Sequence, residues 1–466
     1  MFSFKGGVFL DEKKELLKDR PIRSSNTKEL LVFPLSQHIG KPAKAIVKVG
    51  DEVKQGQIIA EADGLISANV LSSVSGKVKA LENRLCSNGK IVESIIIEND
   101  FKYQTINGFG KERDYKSLSR EEIIDIVRDA GIVGLGGACF PTHVKLNPKD
   151  KDAIDYVLVN ASECEPYLNS DNRLLLEEAD MLILGLEIIL KLFPHAKGII
   201  CIEDNKREAY KEIQKRLENN MSISCVLTKT KYPQGGERQL IYAVTKRKLN
   251  SKLLPADVGV IVQNVATTIA IAYAVSKSEP LTSKVMTLAG DGLKDNINVK
   301  VRLGISYKDL ADEVGGLKDN VKKMINGGPM MGISLYDLDV PVAKNSSSLL
   351  CFREDPIKEL HQTNCINCGR CSSVCPENLI PTMMYKVSKN NKVEEFLKLY
   401  GVECIECGSC SYVCPAKLPL VQYFKMMKPK AQALEKELAE KKKLEQEQIK
   451  KEKENKTKEE EKNGKQ

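Results

Sequence analysis

Two copies of one cysteine pattern constrain this chain more than any other feature. The first reads Cys365-Ile-Asn-Cys368-Gly-Arg-Cys371-Ser-Ser-Val-Cys375-Pro376, and the second Cys404-Ile-Glu-Cys407-Gly-Ser-Cys410-Ser-Tyr-Val-Cys414-Pro415. Each is C-x2-C-x2-C-x3-C-P. In this spacing three close thiolates wrap one face of an iron–sulfur cubane, and the fourth cysteine serves the other cluster. The proline turns the chain away afterwards, because it cannot continue a helix. Crossed ligand sets are therefore expected: Cys365, Cys368, Cys371 and Cys414 on one [4Fe-4S] cluster, and Cys404, Cys407, Cys410 and Cys375 on the other. Four thiolates also suit structural zinc, but two intact copies ending in C-x3-C-P favour iron–sulfur. A chain built this way is expected to move electrons.

With 466 residues the chain has room for roughly three domains with buried cores. Fourteen cysteines are present, and the six outside the motifs (Cys86, Cys139, Cys164, Cys201, Cys225 and Cys351) lack disulfide-like spacing. Free thiols beside cluster ligands imply a reducing cytoplasm. The start, Met1-Phe-Ser-Phe-Lys-Gly-Gly, lacks the apolar core of a signal peptide. The longest uncharged run, 258–276, carries Gln263, Asn264, Thr267 and Thr268 and is interrupted by Gly259. It is expected to be a buried strand followed by a buried helix rather than a membrane span. Membrane association would then come through a partner or the surface. A net charge of +8 without aromatic-interleaved basic clusters gives no reason to expect nucleic acid.

Residues 1–30 read as polar and irregular. From Lys41 short alternating strands punctuated by Gly and Asp predict a small all-β unit. Its Val49-Gly-Asp-x-Val-x-x-Gly-Gln stretch resembles biotinyl/lipoyl barrel-sandwich domains. No lysine occurs between Lys54 and Lys77, so no swinging arm is carried and the unit is a scaffold or docking surface. A helix is predicted to start at Ser119, where Glu122 completes a capping box, and to stop near Gly131.

Then comes Gly134-Leu-Gly136-Gly137-Ala-Cys-Phe140-Pro141-Thr142-His-Val-Lys145. Such a loop is either a plain turn or a place where backbone N–H groups approach a phosphate or ring. Lys145 is a countercharge or a solvated lysine, and Phe140 a stacking ring or a core one. The run Tyr156-Val-Leu-Val-Asn160-Ala-Ser-Glu163-Cys-Glu165-Pro166 reads as a buried strand with a polar end. In open α/β sheets ligands sit at the carboxyl ends of strands. Helix 172–193, strand 198–202, helix 206–219 and strand 222–228 are expected to follow, making the region α/β. Tyr232, Gly235, Gly236 and Glu237 lie at a later turn, and Val262-Gln263-Asn264 ends another apolar run.

Together these segments resemble the NADH-binding flavoprotein subunit of respiratory complex I. The likeness lies in the glycine loop 134–142, in Asn160-Ala-Ser-Glu163-x-Glu165-Pro166, in Gly236-Glu237 and in Val262-Gln263-Asn264-Val. Gln263 stands where that family usually has asparagine, and Ser162 and Ala266 where it has acids. The resemblance implies FMN held by Gly134, Gly136, Gly137, Lys145, Asn160, Glu163, Tyr232, Gly235, Gly236, Val262, Asn264 and Thr267. It implies NADH near Phe140, Glu165 and Glu237.

The order of the whole chain resembles more closely the RnfC members of Rnf ion-translocating electron-transport complexes, including an initial Lys-Gly-Gly segment. That resemblance implies a multidomain α/β and α+β protein in five parts. They are an N-terminal segment with barrel-sandwich hybrid (1–110), an α/β FMN/NADH domain (111–278), a soluble-ligand-binding β-grasp domain (279–350), a ferredoxin-like helical domain with two [4Fe-4S] clusters (351–425), and a charged tail, helical or disordered (426–466). The β-grasp is marked by Thr287-Leu-Ala-Gly290-Asp and Gly327-Gly-Pro-Met-Met-Gly332. The implied role is the NAD(H)-facing, peripheral cytoplasmic-side subunit of a membrane complex, with other subunits and, indirectly, ferredoxin as partners. Electron transfer between ferredoxin and NAD would be coupled to Na+ or H+ movement. A soluble NADH-dependent flavin/Fe–S reductase, such as a cobalamin reductase, is the alternative. For hydride transfer no side-chain acid or base is needed, so no catalytic residue is assigned.

Overall fold

The run Tyr156-Val-Leu-Val stays apolar on both faces, as a strand covered from both sides must. In the computed structural model, which describes residues 1–355, 358 and 361–463 with side chains to residue 448, it forms the strand Tyr156–Ala161. A four-stranded, all-parallel sheet is built on it, in the order Ile223–Thr228, Lys197–Glu203, Tyr156–Ala161, Val260–Asn264. Helices Ala179–Lys191 and Val265–Lys277 pack against each other beside the sheet. The chain runs outward from Tyr156–Ala161 through two strands, then returns to the other side of that strand. Its strand order therefore reverses between Tyr156–Ala161 and Val260–Asn264, with Asn160 paired to Asn264 at the carboxyl ends. A reversal of this kind opens a crevice where α/β folds place ligands.

The capping box at Ser119 is present. The Ser119 hydroxyl accepts from Glu122 N at 3.2 Å, and Glu122 accepts from Ser119 N at 2.7 Å, at the head of Arg120–Asp129. Residues 258–276 form a strand and a buried helix, and among the described residues no helix is long and apolar enough to cross a membrane. One predicted helix is two. The span 172–193 divides into Ser170–Glu177 and Ala179–Lys191 at Glu178, which leaves helical geometry at φ −124°. Its carboxylate accepts from the Tyr273 hydroxyl at 2.9 Å, tying the break to the neighbouring helix.

Around this sheet lie two further β structures. Leu30–Pro34, Ile91–Asn99, Gly76–Leu85 and Glu52–Val53 form an antiparallel sheet, faced by the short strands Lys44–Ala45, Ile58–Glu61 and Val70–Leu71. A six-stranded mixed sheet is built from Arg23–Ser24, Ile297–Arg302, Ser283–Ala289, Ser348–Phe352, Lys323–Asn326 and Ile333–Leu335, with the helix Tyr307–Glu313.

The first thirty residues, which read as irregular, are a strap. Phe2 bridges Thr228, Val8 bridges Tyr232, and Arg23–Ser24 joins the six-stranded sheet as its parallel edge. All of this belongs to one compact unit, Met1–Glu359.

The second unit, Leu360–Gln466, is helical. Pro381–Lys389, Val393–Lys398 and the start of Leu420–Asn463 enclose a small core of Met384, Phe396, Phe424 and Met427, with the Phe396 and Phe424 rings 6.1 Å apart. The charged tail is helical to Asn463, with exposed Lys–Glu pairs such as Glu437–Lys441. Residues 464–466 of that tail, and 356, 357, 359 and 360 before the first motif, lie outside the described residues.

Candidate functional site

The crevice at the strand reversal is assembled from four carboxyl-terminal strand ends and the glycine loop. At its centre Asn160 holds the later turn, donating from Nδ2 to the Gly235 carbonyl at 2.8 Å while Oδ1 accepts from Ser162 N at 3.1 Å. Gly236 precedes the helix Glu237–Thr245, which places Glu237 in its first turn. Lys145 crosses to meet it: Nζ lies 3.1 Å from Glu237 Oε1 and 3.0 Å from the Val262 carbonyl. Its ammonium is thus held by protein groups at the reversal strand. Thr267, fully buried, accepts from Leu135 N at 2.8 Å and fixes the glycine loop to the helix Val265–Lys277.

Asn264 caps that helix. Its Oδ1 accepts from Ala266 N at 2.9 Å, and Nδ2 donates to Asp171 Oδ2 at 2.8 Å. Gly136 lies so close that a Cβ there would stand 2.5 Å from Asn264 Nδ2, whereas one at Gly137 would meet nothing. The loop is thus tight against the protein at Gly136 and open at Gly137. Gly134 N donates to the Phe140 carbonyl at 2.9 Å, closing the loop, and the Phe140 ring is half-buried.

The acidic strand end is more deeply set than its sequence implies. Glu163 is buried, and its Oε1 accepts from Asp171 N at 3.0 Å and Ser170 Oγ at 3.2 Å. Lys14, reaching in from the N-terminal strap, donates to the Glu163 carbonyl and stands 4.0 Å from Oε2. Glu165 is held elsewhere: its oxygens accept from Met330 N at 3.0 Å and Met331 N at 2.9 Å. Tyr232, 2% exposed, lies beneath the strap, its backbone paired with that of Val8.

Burial raises the Asp171 carboxyl to about 7, and the Glu163 charge pushes the same way while the Asn264 amide opposes it. Burial likewise raises Glu165 to about 7, against the pull of the two methionine amides. Lys14 is lowered by burial and then by Lys206, an ammonium itself paired with Glu203 at 2.8 Å.

Sequence reasoning did not find Asp171, Lys14 or the Met330–Met331 amides. Asp171 is the one with a local signal, since it stands in the first turn of a helix that starts just beyond the acidic strand end. The other two come from segments distant in sequence.

Two buried side-chain atoms test whether a flavin fits here. Glu163 Oε2 and Gln263 Nε2, on residues 8% and 2% exposed, have no hydrogen-bond partner among the described residues. Buried polar groups are almost always satisfied. A carboxylate oxygen and an amide nitrogen without hydrogen bonds, at two adjoining strand ends, fit a ligand rich in hydroxyls and ring amides.

In the helical unit the two cysteine motifs repeat one local structure. Asn367 and Glu406 both adopt positive φ (54° and 59°), as do Gly369 (73°) and Gly408 (79°). Each conformation aims an N–H at the first sulfur of its motif: Asn367 N to Cys365 Sγ, and Glu406 N to Cys404 Sγ, both at 3.4 Å. Amides directed at cluster sulfurs tune the potential of iron–sulfur centres.

The fourth cysteine of the first motif lies beside the second motif. Cys375, from the first motif, lines one cavity with Cys404, Cys407 and Cys410 of the second, together with Pro376, Met384 and Phe424. Cys414 belongs to the buried core of the unit, against which Cys371 packs. Cys365 and Cys368 are exposed, whereas Cys407, Cys410 and Cys414 are buried. Four thiols lining one cavity are the donor set that a cubane takes.

These sites define an iron–sulfur flavoprotein of electron transfer, and the comparisons agree. Residues 127–273 match the Nuo51 FMN-binding domain, 2–102 the RnfC barrel sandwich hybrid domain, and 364–418 a 4Fe-4S dicluster domain. The RnfC-type component of the proton-translocating ferredoxin:NAD(+) oxidoreductase complex of Clostridium ljungdahlii is 41% identical over 398 residues, covering 85% of this chain and 87% of that one. Its counterpart in the Na(+)-translocating ferredoxin:NAD(+) oxidoreductase complex of Acetobacterium woodii is 40% identical over 393 residues, 84% of this chain and 88% of that one. The counterpart in the ion-translocating oxidoreductase complex of Haemophilus influenzae is 36% identical over 434 residues, 92% of this chain and 66% of that one. The chain belongs to the RnfC family of components of ion-translocating ferredoxin:NAD(+) oxidoreductase complexes.

Proposed function

We propose that this chain is the NAD(H)-facing subunit of a membrane-bound complex that couples electron transfer between ferredoxin and NAD to the movement of Na+ or H+. Its place is peripheral, on the cytoplasmic side, where NAD(H) is found. Family membership supports this reading, and one structural observation carries it: the chain that holds the crevice at the strand reversal also holds two cysteine motifs, the last cysteine of the first lining a cavity with the second. Relatives translocating protons and Na(+) leave both ions within the family.

Bound FMN would supply the exchange between a two-electron hydride and single electrons, which clusters accept one at a time. The chain's own part is to bind, orient and exclude water. Gly134, Gly136 and Gly137 offer an open backbone surface, and Asn160, Gly235 and Gly236 set the opposite wall. Lys145 brings positive charge to the crevice, fixed by Glu237 and the Val262 carbonyl. Asn264 and Thr267 hold the glycine loop against its helix, while buried Glu163 and Tyr232 form the floor. Phe140, Glu165 and Glu237 are assigned to the NADH side. Cys365, Cys368, Cys371 and Cys414 would hold one cluster, and Cys404, Cys407, Cys410 and Cys375 the other. The shared cavity supports the second set.

The test is NADH-dependent reduction of an artificial electron acceptor by the full chain loaded with FMN. Turnover that requires added FMN and prefers NADH supports the assignment. A chain that binds no FMN, or binds it and oxidises no NADH, contradicts it.

A further inference from the structure

We propose that the turn 327–332 of the six-stranded sheet is part of the pyridine-nucleotide site, where the Met330 and Met331 amides position the Glu165 carboxylate for the nucleotide. The inference rests on the assignment of Glu165 to the NADH side and adds a second domain to that site. The turn lies far outside the matched FMN-binding domain, which ends at residue 273.

The geometry begins with a hairpin. Lys323–Asn326 and Ile333–Leu335 pair antiparallel, with Asn326 opposite Ile333, so residues 327–332 form the connecting loop. The loop presents two consecutive amides to a single carboxylate, Met330 N at 3.0 Å from Oε2 and Met331 N at 2.9 Å from Oε1. Successive backbone N–H groups in a turn make an anion-binding concavity. Here the anion is a side chain of the acidic strand end. The approach requires a residue without a side chain, because a Cβ on Gly328 would collide with the Glu165 carboxylate.

This arrangement does more than join two domains. Among the described residues no lysine or arginine forms an ion pair with Glu165, so a half-buried acid is held by neutral amides, with the Lys14 charge acting on it only weakly. As a structural joint that is a poor choice, since burying a carboxylate costs more than burying an apolar side chain of similar size. The two amides counter part of that cost and favour the ionised form. Each carboxylate oxygen spends one lone pair on an amide and keeps another. A nucleotide hydroxyl or carboxamide N–H can therefore bond to Glu165 without breaking the nest. The turn fixes where that acceptor stands.

The experiment uses the full chain loaded with FMN and NADH as the varied substrate, with KM and kcat measured separately. Glu165→Ala is expected to raise KM for NADH about tenfold, the scale of a lost hydrogen bond to a charged group. Gly328→Ala, which displaces the carboxylate without removing it, is expected to raise KM by at least about half that factor. In both, kcat and the FMN dissociation constant from fluorescence quenching stay within about twofold.

If Glu165→Ala leaves KM unchanged, the assignment of Glu165 to NADH fails. If it raises KM while Gly328→Ala does not, the positioning role of the turn fails and the assignment stands. Glu165→Gln covers the case of a misfolded glycine variant. Its NH2 group cannot accept from a second amide, so a positioning nest predicts a KM as poor as that of Glu165→Ala. A glutamine variant with wild-type KM overturns the nest.

Discussion

Cys375 belongs to the first cysteine motif but lines the same cavity as Cys404, the first cysteine of the second. The first motif therefore reaches into the neighbourhood of the second, which is the approach a crossed ligand set requires. Met384 and Phe424 of the helical core line the same cavity.

A Cys375→Ala variant should consequently lose the cluster of Cys404, Cys407 and Cys410 and retain the other. Iron content should fall from about eight to about four per chain, the loss of one cubane. EPR of the reduced protein should show one cluster signal instead of two. Retention of the second-motif cluster with loss of the first would overturn the crossed assignment.

Lys145 spans the crevice between Glu237 and the Val262 carbonyl, on the outside of the core. Lys145→Ala removes a charge from the proposed cofactor site and leaves the apolar packing alone. FMN binding should weaken about tenfold or more, as for a lost charge-assisted hydrogen bond. Fluorescence quenching on titration with FMN measures this. The melting temperature without FMN should barely move, because half-exposed ion pairs contribute little to stability.

Lys344 carries a different burden. It is fully buried, and its ammonium donates to the Asn69 carbonyl and, at 2.6 Å, to that of Gly131, stapling three parts of the first unit together. Burial lowers its pKa from 10.5 to about 7, with the Cys139 thiol opposing. Between those two values the unfolded chain binds the proton that the folded chain releases. Stability from this group therefore rises as pH rises from about 7 toward 10.5, and is lost as pH falls through about 7. Glu165 and Asp171, raised to about 7, act in the opposite direction, losing stability as pH rises through that value. The clean measurement is a difference. The stability of the native chain relative to Lys344→Met should grow with pH across this window. At neutral pH the variant should be destabilised by about 1–3 kcal/mol, the cost of stranding buried carbonyls. Denaturant melts at several pH values test both the sign and the size.

Much of this was legible in the sequence, and the pattern of what was not is physical. The capping box at Ser119, the strand and helix of 258–276 and the repeated cysteine motifs are encoded by neighbours, so local reading finds them. The single helix expected over 172–193 has continuous apolar periodicity, and its break at Glu178, where the side chain meets Tyr273 of a distant helix, has no local signal. Lys14, in a segment without periodic pattern, becomes part of the crevice through a contact with Glu163 that no local rule encodes. Met330 and Met331 contribute backbone amides, which carry no residue signature at all. The glycine loop, the acidic strand end and the segment 327–332 were visible as motifs, but the contact that brings 327–332 to Glu165 was not.

The central claim is that one chain joins a flavin site to two cubane sites in a single electron path. It is tested most directly by stepwise NADH titration of the anaerobically reconstituted full chain, followed by flavin absorbance and cluster EPR in the same sample. Flavin bleaching should be accompanied by reduced-cluster signals as NADH is added, and both should require bound FMN. Bleached flavin with both clusters still oxidised after excess NADH, in a protein whose clusters are reducible by dithionite, would contradict it.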